Sequence, residues 1–506
     1  MLNSLATVVT RAQLGIDAPQ VICEVHLTGG LPGLTIVGLV ETAVKESRER
    51  VKAAIRQSGY EFPNRKITVN LAPADLPKGG GRFDLAIALG ILVASGQVAA
   101  DKLDGHEFYG ELSFTGALRP VTGLLPALRR AGELKQVCVV PDACKAEAGL
   151  LAGADIRMAT HLTSVAQYLT GQINLPQCPA ANWTDEAGCE YDLSDICGQS
   201  LARRALEVAA AGGHHMLMIG PPGTGKTMLA QRLPGLLPPM TDQEVINALV
   251  LHSLVNNAKG AISRRRPFRA PHHTASAAAL VGGGNPPRPG EISLADQGVL
   301  FLDELPEFNR TALEALREPL ENGAIRISRA SQTVLFPASF QLVAAMNPCP
   351  CGFAGDADHE CRCTPAQVQR YQYRLSAPFL DRMDVRIELQ RSGIALEGMF
   401  SAPAERKVTS ESSATVRARV LDAQQIQLER AGLLNARLPT ATLRRRATPD
   451  AAGQKILKAA AKKFALSARA CDRTLRVALT LADLERADTV TEHHVAEALT
   501  LRDVSP

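Results

Sequence analysis

Runs of hydrophobic residues alternate with polar stretches along the chain, and their lengths and periods predict several structural regions. Residues 1–168 alternate short β-branched runs with helical patterns; residues 67–96, for example, predict a strand, a Gly/Pro-rich loop and an apolar helix. Residues 193–393 again mix strands with helices. After residue 393 helical spacing dominates, with Ser or Thr near the helix starts. The pattern therefore predicts an α/β protein whose C-terminal part is helical.

Two breaks in the pattern predict domain boundaries. Residues 169–192 lose all periodicity and contain the only Trp, which indicates a linker. Residues 391–410 form a second irregular stretch before the helical part. The predicted division is an α/β domain over 1–168, a linker over 169–192, a second α/β domain over 193–393 and a helical domain over 394–506.

Composition narrows the class of protein. Of the 506 residues, 46% are hydrophobic and 21% are charged, which is an ordinary globular balance. The net charge of +4 is too small to indicate a nucleic-acid-binding protein without local clusters of charge. We find no export signal and no apolar run of membrane-spanning length, and the eleven cysteines then predict reduced thiols. The expected location is the cytoplasm, with no membrane partner.

A phosphate-binding loop follows an apolar run near the middle of the chain. Residues 220–227 have the spacing G-x-x-x-x-G-K-[ST] between a predicted strand and a predicted helix. Backbone amides of such a loop surround phosphate oxygens, the Lys side chain reaches the β- and γ-phosphates, and the Thr hydroxyl binds Mg²⁺. The predicted ATP-binding residues are Gly220, Pro221, Pro222, Gly223, Thr224, Gly225, Lys226 and Thr227.

Polar residues end two further apolar strands. Asp303 and Glu304 follow one strand, and Asn347 follows the other. An unpaired charge at the end of a buried strand is costly, so we expect Asp303 to bind Mg²⁺ with Thr227 and Glu304 to act as the base that orients water. Because ligands collect at the carboxyl ends of parallel strands, Asn347 is predicted to lie beside Asp303 and sense the γ-phosphate.

Four cysteines follow Asn347 directly, in the pattern C-x-C-x₉-C-x-C. Paired thiolates suit tetrahedral Zn²⁺ in a structural site, so the pattern favours a zinc clip on the loop that leaves the strand. An iron–sulfur cluster, a regulatory disulfide pair and replacement of one thiolate by His359 remain alternatives. The predicted zinc ligands are Cys349, Cys351, Cys361 and Cys363.

Four segments together resemble the AAA+ ATPases of the magnesium-chelatase-like branch, and within it the DNA branch-migration helicases of natural transformation. They are the phosphate loop, "LFLDE", "AAMNPCPCG" and "RLSAPFLDRMDVRIEL". The resemblance implies a ring, usually a hexamer, that uses ATP to move single-stranded or branched DNA during homologous recombination, with a recombinase as a possible partner. A protein-remodelling or metal-chelatase-type ATPase is the alternative.

The same resemblance implies roles for several arginines. Arg382 matches the arginine finger that reaches a neighbouring subunit's nucleotide, and Arg469 matches the lid arginine that senses nucleotide, with Arg473 as a competitor. Residues 323–340 predict a β-hairpin, which in such helicases points into the pore. Arg326 and Arg329 on this hairpin are then candidate DNA contacts, although an edge hairpin protected by Arg is the alternative.

The N-terminal region resembles the proteolytic domain of Lon, through "PADLPKGGGRFDLAIALGI" and "GELSFTGALRPVTGLLPALRRAGE". The Ser nucleophile of that family is replaced by Arg82 and its Lys by Leu125. The resemblance therefore implies a Lon-like fold without peptidase activity. Basic residues here suggest a surface for DNA phosphates, with ordinary solvated charge as the alternative. They are Lys78, Arg82, Arg119, Arg129 and Arg130.

Overall fold

The structure is a computed structural model of the chain. It describes residues 4–39, 42–99, 101–151, 153–181, 191–196, 198–255, 264–284, 287–329, 332–356, 358–391 and 411–502. Residues 182–190 of the predicted linker and residues 392–410 of the second irregular stretch lie outside the described residues.

The N-terminal part of the chain contains nine strands and five helices within its described residues. The strands are β1 (Leu5–Arg11), β2 (Gln20–Thr28), β3 (Gly33–Val37), β4 (Lys66–Ala72), β5 (His106–Phe108), β6 (Glu111–Leu112), β7 (Leu118–Arg119), β8 (Val137–Pro141) and β9 (Ile156–Ala159). The helices are α1 (Thr42–Gln57), α2 (Asp84–Ala94), α3 (Leu124–Glu133), α4 (Lys145–Ala148) and α5 (Leu162–Leu169).

Seven of these strands form one mixed sheet in the order β3-β4-β2-β1-β5-β8-β9. Strands β1, β2 and β4 are antiparallel neighbours, whereas β5, β8 and β9 run parallel. The apolar helix α2, predicted from residues 67–96, packs on β1 and β2 with nearly every residue buried. An all-apolar helix requires this position, because no face of it favours water.

The expectation of a basic surface in this region is wrong for two residues. Lys78 and Arg82 are buried, and Arg82 donates to the carbonyl oxygens of Thr122 and Gly123 at 3.3 and 3.1 Å. Burial lowers the pKa of both side chains. A Gly-rich loop is typical of solvent-exposed segments, but in this structure the charged side chains of the loop, Lys78 and Arg82, are buried in the interior.

The middle of the chain contains the remaining strands. They are β10 (Met216–Ile219), β11 (Phe268–Arg269), β12 (Gly282–Gly283), β13 (Arg288–Pro289), β14 (Val299–Leu302), β15 (Ala324–Arg329), β16 (Gln332–Pro337), β17 (Gln341–Met346) and β18 (Val385–Glu388). The helices are α6 (Ser200–Gly212), α7 (Lys226–Leu236), α8 (Asp242–Ser253), α9 (Ala277–Val281), α10 (Glu291–Leu294), α11 (Arg310–Ala315), α12 (Arg317–Asn322), α13 (Pro365–Gln372) and α14 (Ala377–Leu380).

A second sheet has five parallel strands in the order β11-β14-β17-β10-β18. Strands β14 and β17 are buried along their whole length, as expected for the centre of a parallel sheet covered on both faces. Because the strands are parallel, Ile219, Leu302 and Met346 end at one edge of the sheet. The polar residues that follow them therefore meet there.

The C-terminal part is helical, as the spacing predicts. Its helices are α15 (Ser413–Ala431), α16 (Thr440–Arg446), α17 (Ala451–Lys463), α18 (Ala468–Leu484) and α19 (Glu492–Thr500). Ser412 and Ser467 cap the amino ends of α15 and α18 through their side chains. Helices α15 and α18 pack on α6, and one hydrophobic core continues from the five-stranded sheet into these helices. No helix in the described ranges combines the length and apolar character that crossing a membrane requires.

The N-terminal part contacts the second sheet region at two places. The turn after β1 packs on the hairpin formed by β15 and β16, where a Cβ on Gly15 would lie only 2.3 Å from Val334 Cγ1. Helix α3 packs on α8, and Arg129 donates to Asn247 Oδ1 at 3.1 Å. The predicted hairpin over residues 323–340 is confirmed, since β15 and β16 pair antiparallel.

Candidate nucleotide and metal site

The phosphate loop joins β10 to α7 at the carboxyl edge of the five-stranded sheet. Gly225 precedes the first residue of α7 with φ of +85°, a left-handed conformation that favours glycine. Helix α7 then begins at Lys226, so the amide groups of its first turn lie next to the loop. This is the strand–loop–helix context that the motif predicts.

Lys226 is held inside the loop by three oxygen acceptors. Its ammonium donates to the carbonyl oxygens of Gly220 at 2.7 Å and Pro221 at 2.9 Å, and to Asn347 Oδ1 at 3.1 Å. Burial lowers the pKa of Lys226, and the charge of Asp303 acts in the opposite direction. The contact with Asn347 brings together two predicted site residues that are 121 positions apart in the chain.

Thr227 and Asp303 form the second contact of the site. The Thr227 hydroxyl donates to Asp303 Oδ2 at 2.8 Å, and the Glu304 amide donates to Asp303 Oδ1 at 2.9 Å. A hydroxyl beside a carboxylate offers the hard oxygen ligands that Mg²⁺ prefers. The donor set at Thr227 and Asp303 therefore fits Mg²⁺.

Glu304 adopts a left-handed backbone conformation, with φ of +53°. Such a conformation costs a non-glycine residue about 1–3 kcal/mol, and it occurs most often at functional sites. It turns the chain sharply after β14, and the Glu304 side chain is 53% exposed. The carboxylate is thus available to a ligand beside Asp303.

His273 contacts Glu304, and sequence reasoning missed this contact. Its Nδ1 lies 2.9 Å from Glu304 Oε2, and its ring lies 4.1 Å from that of His272. The two histidines follow β11, which pairs with β14 at the edge of the sheet. The sequence does not indicate this contact, because nothing local shows that β11 and β14 are neighbours.

Tyr371 is a second residue that the sequence did not indicate. Its phenol is buried next to the Asn347 backbone amide. Burial raises the pKa of Tyr371 to about 12, with the nearby charge of Glu307 acting in the same direction. The phenol therefore stays neutral beside the Asn347 backbone, while the Asn347 side chain contacts Lys226.

The four cysteine sulfurs converge as the spacing predicts. Cys349 Sγ lies 3.4 Å from Cys351 Sγ and 3.7 Å from Cys361 Sγ, and all four sulfurs lie within 4.8 Å of one another. Thiolates around a tetrahedral zinc, with Zn–S bonds of about 2.3 Å, are roughly 3.8 Å apart. The donor set therefore fits Zn²⁺.

The structure bears on two of the alternatives for this loop, His359 as a zinc ligand and a disulfide pair. His359 is not part of the sulfur cluster; it stacks on Phe353 with ring centroids 4.9 Å apart, and its Nδ1 lies 3.0 Å from Arg391 Nη1. Each of the four cysteines is a free thiol.

The cysteine loop also packs directly on the phosphate loop. Gly352 has φ of +86°, and a Cβ there would lie 2.8 Å from Pro222 Cδ. Arg391 donates to the Pro222 carbonyl oxygen at 3.1 Å and pairs with Asp356 at 3.3 Å. A change in the structure of the cysteine loop would therefore alter the phosphate loop, although none of the cysteines belongs to the phosphate loop.

The three arginines proposed for nucleotide sensing lie in different environments. Arg382 pairs with Glu321 and donates to the Pro378 carbonyl oxygen at 2.5 Å. Arg473 is bound to buried Asp384 at 2.6 Å. Arg469 lies exposed in the first turn of α18 and forms no hydrogen bond or ion pair within the described parts of the chain. Of the two lid candidates, only Arg469 is uncommitted.

The hairpin places Arg326 on its exposed face, opposite Leu335. Its other face, which includes Ile325, Ile327 and Phe336, is buried in the core. Arg329 is the last residue of β15, but its side chain lies outside the described residues, as does the turn at 330–331.

Comparisons with protein-family models cover most of the chain. Residues 192–395 match the model for magnesium chelatase, subunit ChlI. Residues 23–143 match subunit ChlI of Mg-chelatase, and residues 410–502 match the subunit ChlI C-terminal model.

Several curated relatives align over nearly the whole chain. Competence protein ComM of Haemophilus influenzae is 48% identical over 506 residues, covering 99% of this chain and 97% of its own. Uncharacterized protein YifB of Escherichia coli is 48% identical over 502 residues with the same coverage. DNA replication licensing factor Mcm2 of Drosophila melanogaster matches more weakly, at 28% identity over 38% of this chain and 20% of its own length.

Proposed function

The chain belongs to the magnesium chelatase subunit ChlI family, and we propose that it is a ring-shaped ATPase that moves DNA. The specific role proposed is that of a helicase or branch-migration factor in homologous recombination during natural transformation. The ATPase assignment rests on one observation. Polar side chains lie in contacting pairs at one edge of the parallel sheet: Lys226 with Asn347, and Thr227 with Asp303. The DNA assignment draws support from the name of the relative ComM and the weaker match to Mcm2.

In the proposed reaction, this chain's residues hold the triphosphate and direct water to it. Mg²⁺ at Thr227 and Asp303 would neutralise charge on the β- and γ-phosphates. Lys226 exchanges its carbonyl partners for phosphate oxygens, and Glu304 accepts the proton of the attacking water. Asn347 reports the γ-phosphate through its contact with Lys226.

Glu304 must leave His273 before it serves as the base. His273 Nδ1 lies 2.9 Å from Glu304 Oε2, so the ring occupies space beside this oxygen that the attacking water needs. We infer that Glu304 turns away from His273 when water and nucleotide enter the site.

We propose that the active form is a ring, most simply a hexamer, with Arg382 reaching the neighbouring subunit's nucleotide. Within one chain Arg382 is paired with Glu321, so the ring contact would replace this ion pair. Arg469 is the proposed lid sensor because it is free to turn toward a ligand. Arg473 is instead committed to Asp384.

Single-stranded and branched DNA are the proposed partners, with Arg326 and Arg329 of the hairpin as backbone contacts. The exposure of Arg326 supports this role, because phosphate contacts require accessible cations. A recombinase is a further proposed partner, suggested by the recombination role itself.

The cysteine cluster is proposed to hold a structural zinc. The spacing of its sulfurs supports a closed tetrahedral site with no free position for catalysis. Its contact with Pro222 gives the zinc an indirect influence on the phosphate loop.

The N-terminal domain, over residues 1–168, is proposed to retain a Lon-like fold without peptidase activity. Arg82 and Leu125 occupy the positions of the Lon dyad, and both are buried. A buried guanidinium bound to two carbonyl oxygens cannot act as the nucleophile, and the Leu125 side chain has no amine to activate one. The linker over 169–192, ATPase domain over 193–393 and helical lid over 394–506 complete the proposed division.

A metal-chelatase-type or protein-remodelling ATPase is the second candidate, and the ChlI family matches favour it. The two functions differ in what stimulates hydrolysis. A DNA motor should hydrolyse ATP faster with single-stranded or branched DNA, and added salt should reduce the effect because phosphate contacts release counterions. Branch migration of a labelled three-strand junction, with and without ATP, is the direct test. Absence of both effects would favour the second candidate.

A further inference from the structure

A groove lies beside the turn that follows Glu304. One wall is formed by Pro306 to Arg310, and the other by the outer face of α13 with the residues just after it. The groove has a volume of about 840 Å³, within the range of ligand-binding clefts. Its position places any occupant close to the proposed catalytic carboxylates.

The groove combines positive charge with an exposed aromatic ring. Arg310 and Arg370 are exposed and form no ion pair with another described residue. Arg374 pairs with Glu307, the one carboxylate of the lining, at 2.8 Å. Tyr373 is 75% exposed, and Gln369 donates to its hydroxyl at 3.2 Å. Exposed cations suit phosphates, and an exposed ring offers a stacking surface.

We propose that this groove binds single-stranded nucleic acid. An unstacked base presents the flat face that Tyr373 needs as a partner, whereas the bases of a duplex are stacked on one another. Arg310 and Arg370 would contact the phosphates that flank the stacked base. The inference rests on the proposed function, and it names a contact surface separate from the β15–β16 hairpin.

Helix α13 connects this groove to the nucleotide site. Tyr371 lies on its inner face beside the Asn347 amide, while Asn347 Oδ1 accepts from Lys226. Gln372 donates to the Pro348 carbonyl oxygen at 3.5 Å. Nucleic acid bound on the outer face of α13 would therefore shift the sensor residue through one short helix.

The start of α13 is fixed by the cysteine loop. Thr364 follows Cys363 and caps the helix, with a reciprocal pair of hydrogen bonds to Gln367 at 2.8 and 3.3 Å. The cluster thus holds in place the helix that carries Arg370 and leads directly to Tyr373. This gives the cysteine loop a role in presenting the groove.

The first test is binding of a fluorescein-labelled oligothymidylate strand by the full-length protein. Loss of one stacked base weakens binding by about tenfold, so Tyr373→Ala should show this change. Arg370→Ala should lower the slope of log affinity against log salt by about 0.7, the value for one phosphate contact on a single strand. Arg486→Ala is the matched control, since it also removes an exposed arginine, from the turn between α18 and α19.

The second test separates binding from coupling. Tyr371→Phe removes only the hydroxyl beside the Asn347 amide, and it leaves the outer face of α13 unchanged. We expect this variant to bind the oligothymidylate as tightly as the unmodified protein. Its DNA-stimulated ATPase rate should fall severalfold toward its rate without DNA.

The outcomes distinguish this inference from the proposed function. If the unmodified protein neither binds the strand nor responds to it, the proposed function fails, and the inference fails with it. If the unmodified protein responds and Tyr373→Ala and Arg370→Ala behave like it, only the inference fails. If these variants instead weaken ring assembly, with unchanged DNA affinity of the assembled rings, the groove is an interface between copies of the chain.

Discussion

At the scale of single residues, the proposed chemistry depends on which oxygen each polar group contacts. Thr227 contacts Asp303, Lys226 contacts Asn347, and Glu304 contacts His273. The first two contacts follow from residues that the sequence indicated. The third joins a predicted base to a histidine whose role the sequence did not show.

Replacing Glu304 by Gln should separate ATP binding from hydrolysis. The amide keeps the size and the acceptor oxygen of the carboxylate but does not take a proton from water. We expect hydrolysis to fall by roughly 10²–10⁴-fold, with ATP affinity close to that of the unmodified protein. Lys226→Ala is the contrasting variant, because it should lose binding itself when the phosphates lose their cation. Measured ATP affinity and turnover check both; normal turnover in Glu304→Gln would refute its assignment as the base.

At the scale of elements, two clusters connect distant parts of the fold. The first joins the loop before β18 to α18 through buried Asp384, which accepts from Arg473 at 2.6 Å and contacts His214 at 3.3 Å. The second is the cysteine loop, which joins the end of β17 to α13 and to the phosphate loop. Each cluster holds in place an element on which the candidate nucleotide site depends.

Asp384→Asn should destabilise the contact between the sheet and the helical part. Burial alone would raise the pKa of Asp384, but the hydrogen bond from His214 and the charges of His214 and Arg473 hold it well below its usual range. Removing one partner of a buried charge pair costs about 3–5 kcal/mol, which we expect in the free energy of unfolding at neutral pH.

The pH dependence of this effect has a definite sign. Because the pKa is lower in the folded state, the stabilising contribution is present above the unfolded value of about 4 and is lost as the pH falls toward the folded value. The difference between the variant and the unmodified protein should therefore shrink below about pH 4. Urea denaturation at several pH values measures it, with the exposed pair variant Asp422→Asn as control. A difference under about 1 kcal/mol at neutral pH, as for surface pairs, would contradict the prediction.

Cys361→Ser should remove zinc and lower ATPase activity, although no cysteine touches ATP. A structural zinc contributes on the order of 10 kcal/mol to the ordering of its loop. Without zinc to order the loop, α13 and the contact between the cysteine loop and Pro222 would become less rigid. Zinc content of the never-chelated protein and ATPase rate are the measurements, and Cys471→Ser on α18 is the control outside the cluster. Protein purified without zinc, together with normal ATPase in Cys361→Ser, would refute the zinc site.

At the scale of the whole molecule, the proposed motor is complete only when subunits meet. Arg382 is proposed to act on a neighbour's nucleotide, so the nucleotide site of one chain lacks a component. Within the chain, the turn after β1 packs on the hairpin and α3 packs on α8. Movement of the hairpin would therefore be transmitted to the N-terminal part.

Mixing Arg382→Ala with Lys226→Ala chains tests the arrangement of subunits. Each variant alone should be inactive, since one lacks the finger and the other lacks the phosphate cation. In a mixed ring some interfaces combine an intact phosphate loop with an intact finger, so partial turnover should return. Native mass spectrometry verifies the mixing. Inactive mixed rings would show that Arg382 acts within its own subunit.

The sequence by itself determined the elements and the local chemistry. The following features were all predictable: the phosphate loop, the strands that precede Asp303 and Asn347, the hairpin and the C-terminal helices. Each depends on neighbouring residues in the chain, whose period and turn chemistry can be read directly. The convergence of the four cysteine sulfurs was predictable for the same reason, since short spacing leaves the loop few other arrangements.

Only the tertiary structure decided which distant groups meet and which charges are buried. The pairs His273–Glu304, Tyr371–Asn347 and Arg473–Asp384 join residues from separate elements, and no local pattern encodes them. Lys78 and Arg82 read as surface cations, yet both are buried. The physical reason is that strand order and helix packing set these contacts, and they result from burying apolar surface over the whole chain.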